Sequence, residues 1–318
     1  MIKMENLVQR IKSVKNIALF LHVRPDGDAI GSGLALKRAL NLLNKNVDVY
    51  CDDVIPERFF YLEGATEIKS SDIQTNYDCL IAVDCADITR IGKYAPNFSA
   101  HKNTLVIDHH ETNRGFSLGD YVKDLPANCE NIYYLINQLG VEIDSVIANA
   151  LATGILTDTG GLRHSNVNAQ IVSVLASLVE KGANLNLISY KMFKEQSKER
   201  AKLFGLTMSS LRYFYDNKIV IGTVDSEKLK ISNAKQDETE GFIDFIMGIQ
   251  GVEVGACLLQ LAENKFKVSL RGKTTNVAEV AQVFGGGGHC LASGCQIFGE
   301  YEEVVDKLVY AIKQHVKE

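Results

Sequence analysis

No run of apolar residues in this 318-residue chain reaches the roughly 18 that a membrane-spanning helix needs, so no membrane partner is expected. The opening stretch MIKMENLVQRIKSVKN lacks the apolar core of a secretory signal and reads as an amphipathic first helix. There is no Cys-x-x-Cys pair. Cys51, Cys79, Cys85, Cys129, Cys257, Cys290 and Cys295 lie scattered, several in apolar strands, which fits reduced thiols in a cytoplasm better than a disulfide framework. Excess positive charge is also lacking, with a net charge of −5 and a pI near 5.9. That argues against gripping a long duplex through a broad basic face, but not against a short phosphorylated ligand. No repeat or low-complexity segment interrupts the chain, and its length allows about two domains.

What is present begins with NIALFLHVRPDGDAIGS, residues 16–32. An apolar strand breaks off into His22, Asp26 and Asp28, just before a stretch apolar at helical spacing from Ala29 to Leu43. In such a strand–helix unit, ligands bind beyond the strand's carboxyl end. Two carboxylates on one short loop repel each other unless a cation or proton intervenes, although Asp also serves simply to cap helices. Further apolar strands are expected at 47–51, 77–83 and 104–107. The third ends in Asp84 and Asp87, the fourth in Asp108, His109 and His110. In a parallel sheet these ends share one edge, so the acids and imidazoles should converge there. Helices are expected at 129–139, 145–156 and 169–179. Asp158 follows the second of them, at a helix C-terminus, where a carboxylate is unfavourable without an offsetting positive charge.

Six residues therefore form a candidate metal site: His22, Asp26, Asp28, Asp84, His109 and Asp158. Oxygen-rich donors with a few imidazoles suit Mn²⁺ or Mg²⁺ better than zinc. Four carboxylates are too many for one ion and sensible for two, placed roughly 3.5–4 Å apart as in two-metal phosphoryl displacement. Asp84, at the end of the middle strand, is the natural bridge between them. Asp108 reads as the acceptor that fixes a neighbouring imidazole, and His110 as the group facing substrate, donating to a phosphate oxygen or protonating the leaving group. Asn113 is expected to assist, and Arg114 to be a solvated loop residue.

Beyond a charged helical stretch at 186–216, strands are expected at 218–224, 253–261, 265–271 and 295–298, and helices at 241–248, 276–284 and 301–316. The run Gly285, Gly286, Gly287, Gly288 before His289 is either a flexible turn or an anion cradle of backbone N–H groups. His289 and Arg271 nearby favour the cradle. It is not a Walker loop, because no Lys-Ser/Thr follows, and Gly31-Ser32-Gly33 is a poor dinucleotide fingerprint, with Leu36 at the third glycine position.

Taken together these stretches resemble the DHH phosphoesterase family, named for its Asp-His-His motif. HVRPDGDAIGS (22–32), VDCAD (83–87), IDHHETN (107–113) and TDTGGLRHSN (157–166) resemble its four successive motifs. SLRGKTTNVAEVAQVFGGGGHCLASG (269–294) resembles the nucleic-acid-associated domain that accompanies many members. The resemblance implies an α/β fold: a parallel-sheet metal domain at 1–185, a helical connector at 186–216, and a smaller α+β substrate domain at 217–318, with the active site between the two domains. It implies the six metal ligands already named, holding two Mn²⁺ with Mg²⁺ or Co²⁺ as alternates. It also implies catalytic roles for Asp84, Asp108 and His110, and substrate contacts from Arg271, His289, Gly286, Gly287 and Gly288, with Asn113 assisting. The branch it is most similar to hydrolyses very short RNAs, linear dinucleotides or 3′-phosphoadenosine 5′-phosphate in the cytoplasm, as a homodimer, with a hydroxide shared by the two ions as nucleophile. The alternatives are a manganese pyrophosphatase, which shares the metal domain, and a nucleotide-binding regulator without turnover.

Overall fold

The computed structural model describes residues 1–73 and 76–316, in two compact units, Met1–Glu195 and Gln196–Glu318. The first unit runs α1 (Met4–Lys12), β1 (Asn16–Phe20), α2 (Gly27–Leu42), β2 (Asn46–Tyr50), β3 (Cys79–Val83), α3 (Ala95–Ala100), β4 (Thr104–Asp108), β5 (Asp120–Val122), α4 (Asn128–Leu139), α5 (Ser145–Asp158), α6 (Ala169–Glu180) and α7 (Leu185–Phe193). Its five strands are all parallel, in the order β2-β1-β3-β4-β5. Alternation along β1 sorts the two faces: Ile17 and Leu19 join the larger core with α2, α4 and α5, while Ala18 and Phe20 join a smaller aromatic core with Tyr50, Tyr94 and Phe98. Register then sets the site. Phe20 pairs with Ala82 and Val83 with Ile107, so the chain leaves β1, β3 and β4 side by side.

Three helices press together over this edge, and glycine permits it. A Cβ at Gly154 of α5 would lie 2.6 Å from Asp28 Oδ1 and closer still to Cys129 Sγ. At Gly31 of α2 it would collide with the Ala150 carbonyl oxygen. The small-residue character of α5 is therefore what brings its C-terminus, with Asp158, onto the sheet edge.

The second unit runs α8 (Lys198–Met208), β6 (Arg212–Phe214), β7 (Ile219–Val224), α9 (Ser226–Ser232), α10 (Phe242–Met247), β8 (Val254–Ala262), β9 (Lys265–Gly272), α11 (Val277–Val283), β10 (Gly287–His289), β11 (Ala292–Phe298) and α12 (Tyr301–Lys313). Its six-stranded mixed sheet has the order β10-β11-β9-β8-β7-β6, parallel only between β7 and β8. α11 and α12 cover one face; α8 and α10 contribute Leu203, Phe242 and Ile243 to a core over part of the other. The stretch expected to be a connector, 186–216, is divided between the units. Ile188 of α7 is buried in the first core and Leu203 of α8 in the second, and Arg212–Phe214 is strand where helix was expected. Among the described residues no single helix is long and apolar enough to cross a membrane.

Candidate metal centre

The six residues singled out from the sequence converge. His22 Nε2 lies 3.5 Å from both Asp26 Oδ2 and Asp84 Oδ2. His109 Nε2 lies 3.3 Å from Asp84 Oδ1, 3.5 Å from Asp158 Oδ2 and 3.9 Å from Asp28 Oδ2. Two nests of donors result, His22–Asp26–Asp84 and Asp28–His109–Asp158, and a third group, Asp84–His109–His110, overlaps them, with His110 Nδ1 3.7 Å from Asp84 Oδ1. Asp84 turns one carboxylate oxygen toward each of the two nests.

The surroundings hold every donor in place. One oxygen of Asp26 accepts the Asp28 and Ala29 N–H groups as the cap of α2, leaving the other toward His22; capping and ligation are compatible here. The Asp28 carboxylate accepts the N–H groups of Asn128 and Cys129 at the start of α4, where the helix dipole favours a negative charge. His22 Nδ1 lies 2.9 Å from the Val23 carbonyl oxygen and His109 Nδ1 2.9 Å from that of Leu125. Both rings thus donate from Nδ1 to backbone and keep Nε2 for the carboxylate side, the usual arrangement of metal-ligating imidazoles. The Asp158 carbonyl oxygen accepts from His164 Nδ1 at 3.1 Å and from the Asn166 amide, so the turn after Asp158 serves to hold it.

Electrostatics show which charge the cluster favours. Burial pushes the Asp158 carboxyl up to about 10, with Asp28, Asp84 and Asp26 adding repulsion. Burial likewise raises Asp28 to about 6. For His22 and His109 burial opposes protonation, but the adjoining carboxylates outweigh it and hold both imidazoles up to about 10. Burial also opposes the charge on Asp84, yet the two histidines hold it well below the usual carboxylate range. Asp84 Oδ1 is buried and accepts no hydrogen bond, and Asp84 sits at φ +57°, a conformation that costs about 1–2 kcal/mol outside glycine. An orphaned carboxylate oxygen between two nests of hard donors fits divalent cations, which would replace protons as the compensating charge.

Beside the nests, His110 is oriented by Asp108, whose Oδ1 lies 2.8 Å from His110 Nδ1. That hydrogen bond, offset only in part by burial, raises the imidazole. Asn113 requires a correction. Expected to assist with substrate, it is 3% exposed, donates to Asp108 Oδ2 at 2.7 Å and to the Cys85 carbonyl, and accepts from the Gly115 N–H. Its capacity is spent inside the fold, where it steadies Asp108. The glycine run is not a loose loop either: Gly287 and Gly288 belong to β10, the edge strand, and Gly288 adopts φ +146°, which L side chains rarely take. A Cβ at Gly286 would meet the Cys295 Cα at 2.7 Å. His289 is exposed at the end of this edge, opposite Ala292, which pairs in turn with Arg271.

Sequence reasoning missed Arg90. Its Nη2 lies 3.1 Å from His22 Nδ1, and it has no carboxylate at ion-pair distance among the described residues. Because Nδ1 already donates to Val23, the guanidinium cannot also donate to it; Arg90 is a cation at the margin of the site with its donors uncommitted. The spacing Asp87-x-x-Arg90 directly after Asp84 was the available signal.

Comparison with known proteins agrees with this geometry. Residues 16–155 match the model of the DHH family N-terminal domain and residues 216–318 that of the DHHA1 domain. The chain is 29% identical over 322 residues to a Thermus thermophilus protein named bifunctional oligoribonuclease and PAP phosphatase NrnA, covering 99% of this chain and 94% of that one. A Streptococcus mutans protein named probable bifunctional oligoribonuclease and PAP phosphatase NrnA is 27% identical over 320 residues, 97% of this chain and 99% of its own. The crystal structure of an exopolyphosphatase-related protein from Bacteroides fragilis matches with a TM-score of 0.86 at 25% identity, over 98% of this chain and 95% of that one. With a DHH domain carrying clustered His and Asp donors and a DHHA1 domain following it in sequence, the chain belongs to the DHH/DHHA1 phosphoesterases.

Proposed function

We propose that this chain is a cytoplasmic two-metal phosphoesterase that hydrolyses very short oligoribonucleotides, linear dinucleotides and 3′-phosphoadenosine 5′-phosphate to mononucleotides, with Mn²⁺ as the working cation. The observation that carries the reading is Asp84, buried, with one oxygen 3.5 Å from His22 and the other 3.3 Å from His109. His22, Asp26 and Asp84 would hold one ion, and Asp28, His109 and Asp158, with Asp84 shared, the other. When bound, such ions lower the pKa of water and offset charge on the phosphoryl oxygens.

The protein's own groups do the rest. The Asp108 carboxylate, itself steadied by Asn113, holds His110 in one orientation, and the half-exposed ring donates a proton toward the phosphate or its leaving oxygen. Arg90 meets phosphate oxygens with its free donors. In the DHHA1 unit, Arg271, His289 and the glycine edge of β10 hold a second phosphate or the nucleotide; at Gly285 and Gly287 nothing stands within 4 Å of where a Cβ would be, which leaves the backbone open to an anion. The names of the relatives, which couple oligoribonuclease with PAP phosphatase, support this substrate pair. Six of the seven cysteines are buried and none is paired, in keeping with a reducing cytoplasm.

A parallel hydrolysis screen tests the reading: pApA, 3′-phosphoadenosine 5′-phosphate and pyrophosphate, each with Mn²⁺, Mg²⁺ and Co²⁺. Release of mononucleotides from the first two with Mn²⁺ is the expected result. Preference for pyrophosphate, or binding of pApA without turnover, would overturn it.

A further inference from the structure

The stretch between β5 and the first turn of α4, Leu125 to Cys129, reaches all three residues of the Asp28–His109–Asp158 nest. The Leu125 carbonyl oxygen lies 2.9 Å from His109 Nδ1. The Pro126 carbonyl oxygen accepts from the Asn166 amide at 3.1 Å, and the same amide lies 3.3 Å from the Asp158 carbonyl oxygen. The N–H groups of Asn128 and Cys129 donate to the Asp28 carboxylate. Among the described residues, no hydrogen bond runs from this stretch to His22 or Asp26. Those two are held elsewhere, by the Val23 carbonyl and by the cap of α2.

Asn131 fixes this stretch from behind. Its Nδ2 lies 3.1 Å from the Asp108 carbonyl oxygen, 3.4 Å from that of Lys123 and 3.3 Å from Asn128 Oδ1. Asn128 Nδ2 in turn donates to Ser32 Oγ of α2 at 3.1 Å, and all three side chains are fully buried. Asn131 thus ties the start of α4 to β5 and to the end of β4, one residue before His109. Stability alone is a poor account of it. Asn131 Oδ1 is buried without a partner, and the Asp108 carbonyl also accepts the Lys123 N–H. An apolar side chain of the same branching would remove the orphaned oxygen and still leave that carbonyl paired. Amides that hold ligands from behind, by contrast, commonly set metal affinity.

We propose that Asn131 and Asn166 are positioning residues for one of the two cations and not for the other. Through residues 125–129 they set the separation of Asp28, His109 and Asp158, while His22 and Asp26 are supported independently. The two cation sites therefore rest on separate parts of the fold, and each can be weakened alone. This rests on the two-ion reading given above.

Mn²⁺ titration calorimetry on the full chain tests it, with stoichiometry and affinity read for wild type, Asn131→Leu, Asn166→Ala and Leu139→Ala. Leu139 is buried at the far end of α4, so its variant is a destabilised control. Asn166 is exposed, and its variant carries the test should Asn131→Leu fail to fold. Wild type is expected to bind two Mn²⁺. Asn131→Leu and Asn166→Ala should each weaken one ion by about 10–100-fold and leave the other unchanged, with the circular dichroism of wild type. Leu139→Ala should keep both affinities despite a lowered Tm. Added to His22→Ala, Asn131→Leu should weaken the remaining ion by the same factor; added to Asp158→Asn, it should change nothing further. Equal weakening of both ions overturns the proposal, as does loss of an ion in Leu139→Ala. If two ions bind and neither Asn variant alters them, the positioning role fails while the two-ion reading stands. If wild type binds a single Mn²⁺ that both Asn variants weaken, the two-ion reading fails while the positioning role stands.

Discussion

Asp84 is where backbone, burial and charge meet. It leaves β3 at a positive φ, shares its carboxylate between His22 and His109, and keeps one oxygen without a hydrogen bond. Replacing it with Asn removes the shared negative charge, so Mn²⁺ should no longer stabilise the protein. In wild type, Mn²⁺ at a hundredfold over its Kd should add about 2.7 kcal/mol by linkage; in Asp84→Asn the thermal shift should vanish while the circular dichroism spectrum is retained. A lesser effect belongs to Asn113. Asn113→Ala leaves the Cys85 carbonyl and one Asp108 oxygen unpaired in the interior, at a cost of about 1–3 kcal/mol. Through the loosened His110 it should also lower kcat by about 10–100-fold, with denaturant midpoints and kinetics as separate readouts. Asp108→Asn should reproduce the kinetic loss.

At the scale of elements, the crossing of α2, α4 and α5 sets how tightly Asp28 is held. Gly154→Ala places a methyl group against Asp28 and Cys129. Overpacking of this kind costs about 1–3 kcal/mol, and here it should also weaken Mn²⁺ binding, measurable by titration calorimetry. In the second unit, the turn between β9 and α11 hangs on Glu253. One of its oxygens accepts from the N–H and hydroxyl groups of both Thr274 and Thr275. Burial opposes the charge, but these hydrogen bonds outweigh it and hold the Glu253 carboxyl below its ordinary value. A carboxyl depressed in the folded state stabilises above its unfolded pKa and loses that contribution as pH falls through the folded one. Glu253→Gln should therefore cost about 1 kcal/mol at pH 7, allowing for solvent screening. In urea titrations the difference should shrink as pH falls below about 4.3, the unfolded value, and go on shrinking as pH passes through the depressed folded one.

For the whole molecule, each unit has its own core, and all six candidate metal ligands lie between positions 22 and 158 of the first. In scanning calorimetry, Mn²⁺ should raise the transition of residues 1–195 and leave that of 196–318 where it is; an equal shift of both would contradict this.

Much of the arrangement was written in the order of residues. Apolar strands ending in His22, Asp84 and Asp108-His109-His110 announce a parallel sheet with its donors on one edge, since strand direction and the two-residue alternation are local properties that a sequence displays. Partnership is another matter. That Asn113 turns inward to Asp108, that Arg90 comes beside His22 from 68 positions away, and that the glycines after Phe284 pair as the edge strand β10 all depend on which atoms the fold brings within hydrogen-bonding reach. Residue type and spacing carried the chemistry; hydrogen-bond partners and exposure arose only once distant segments met.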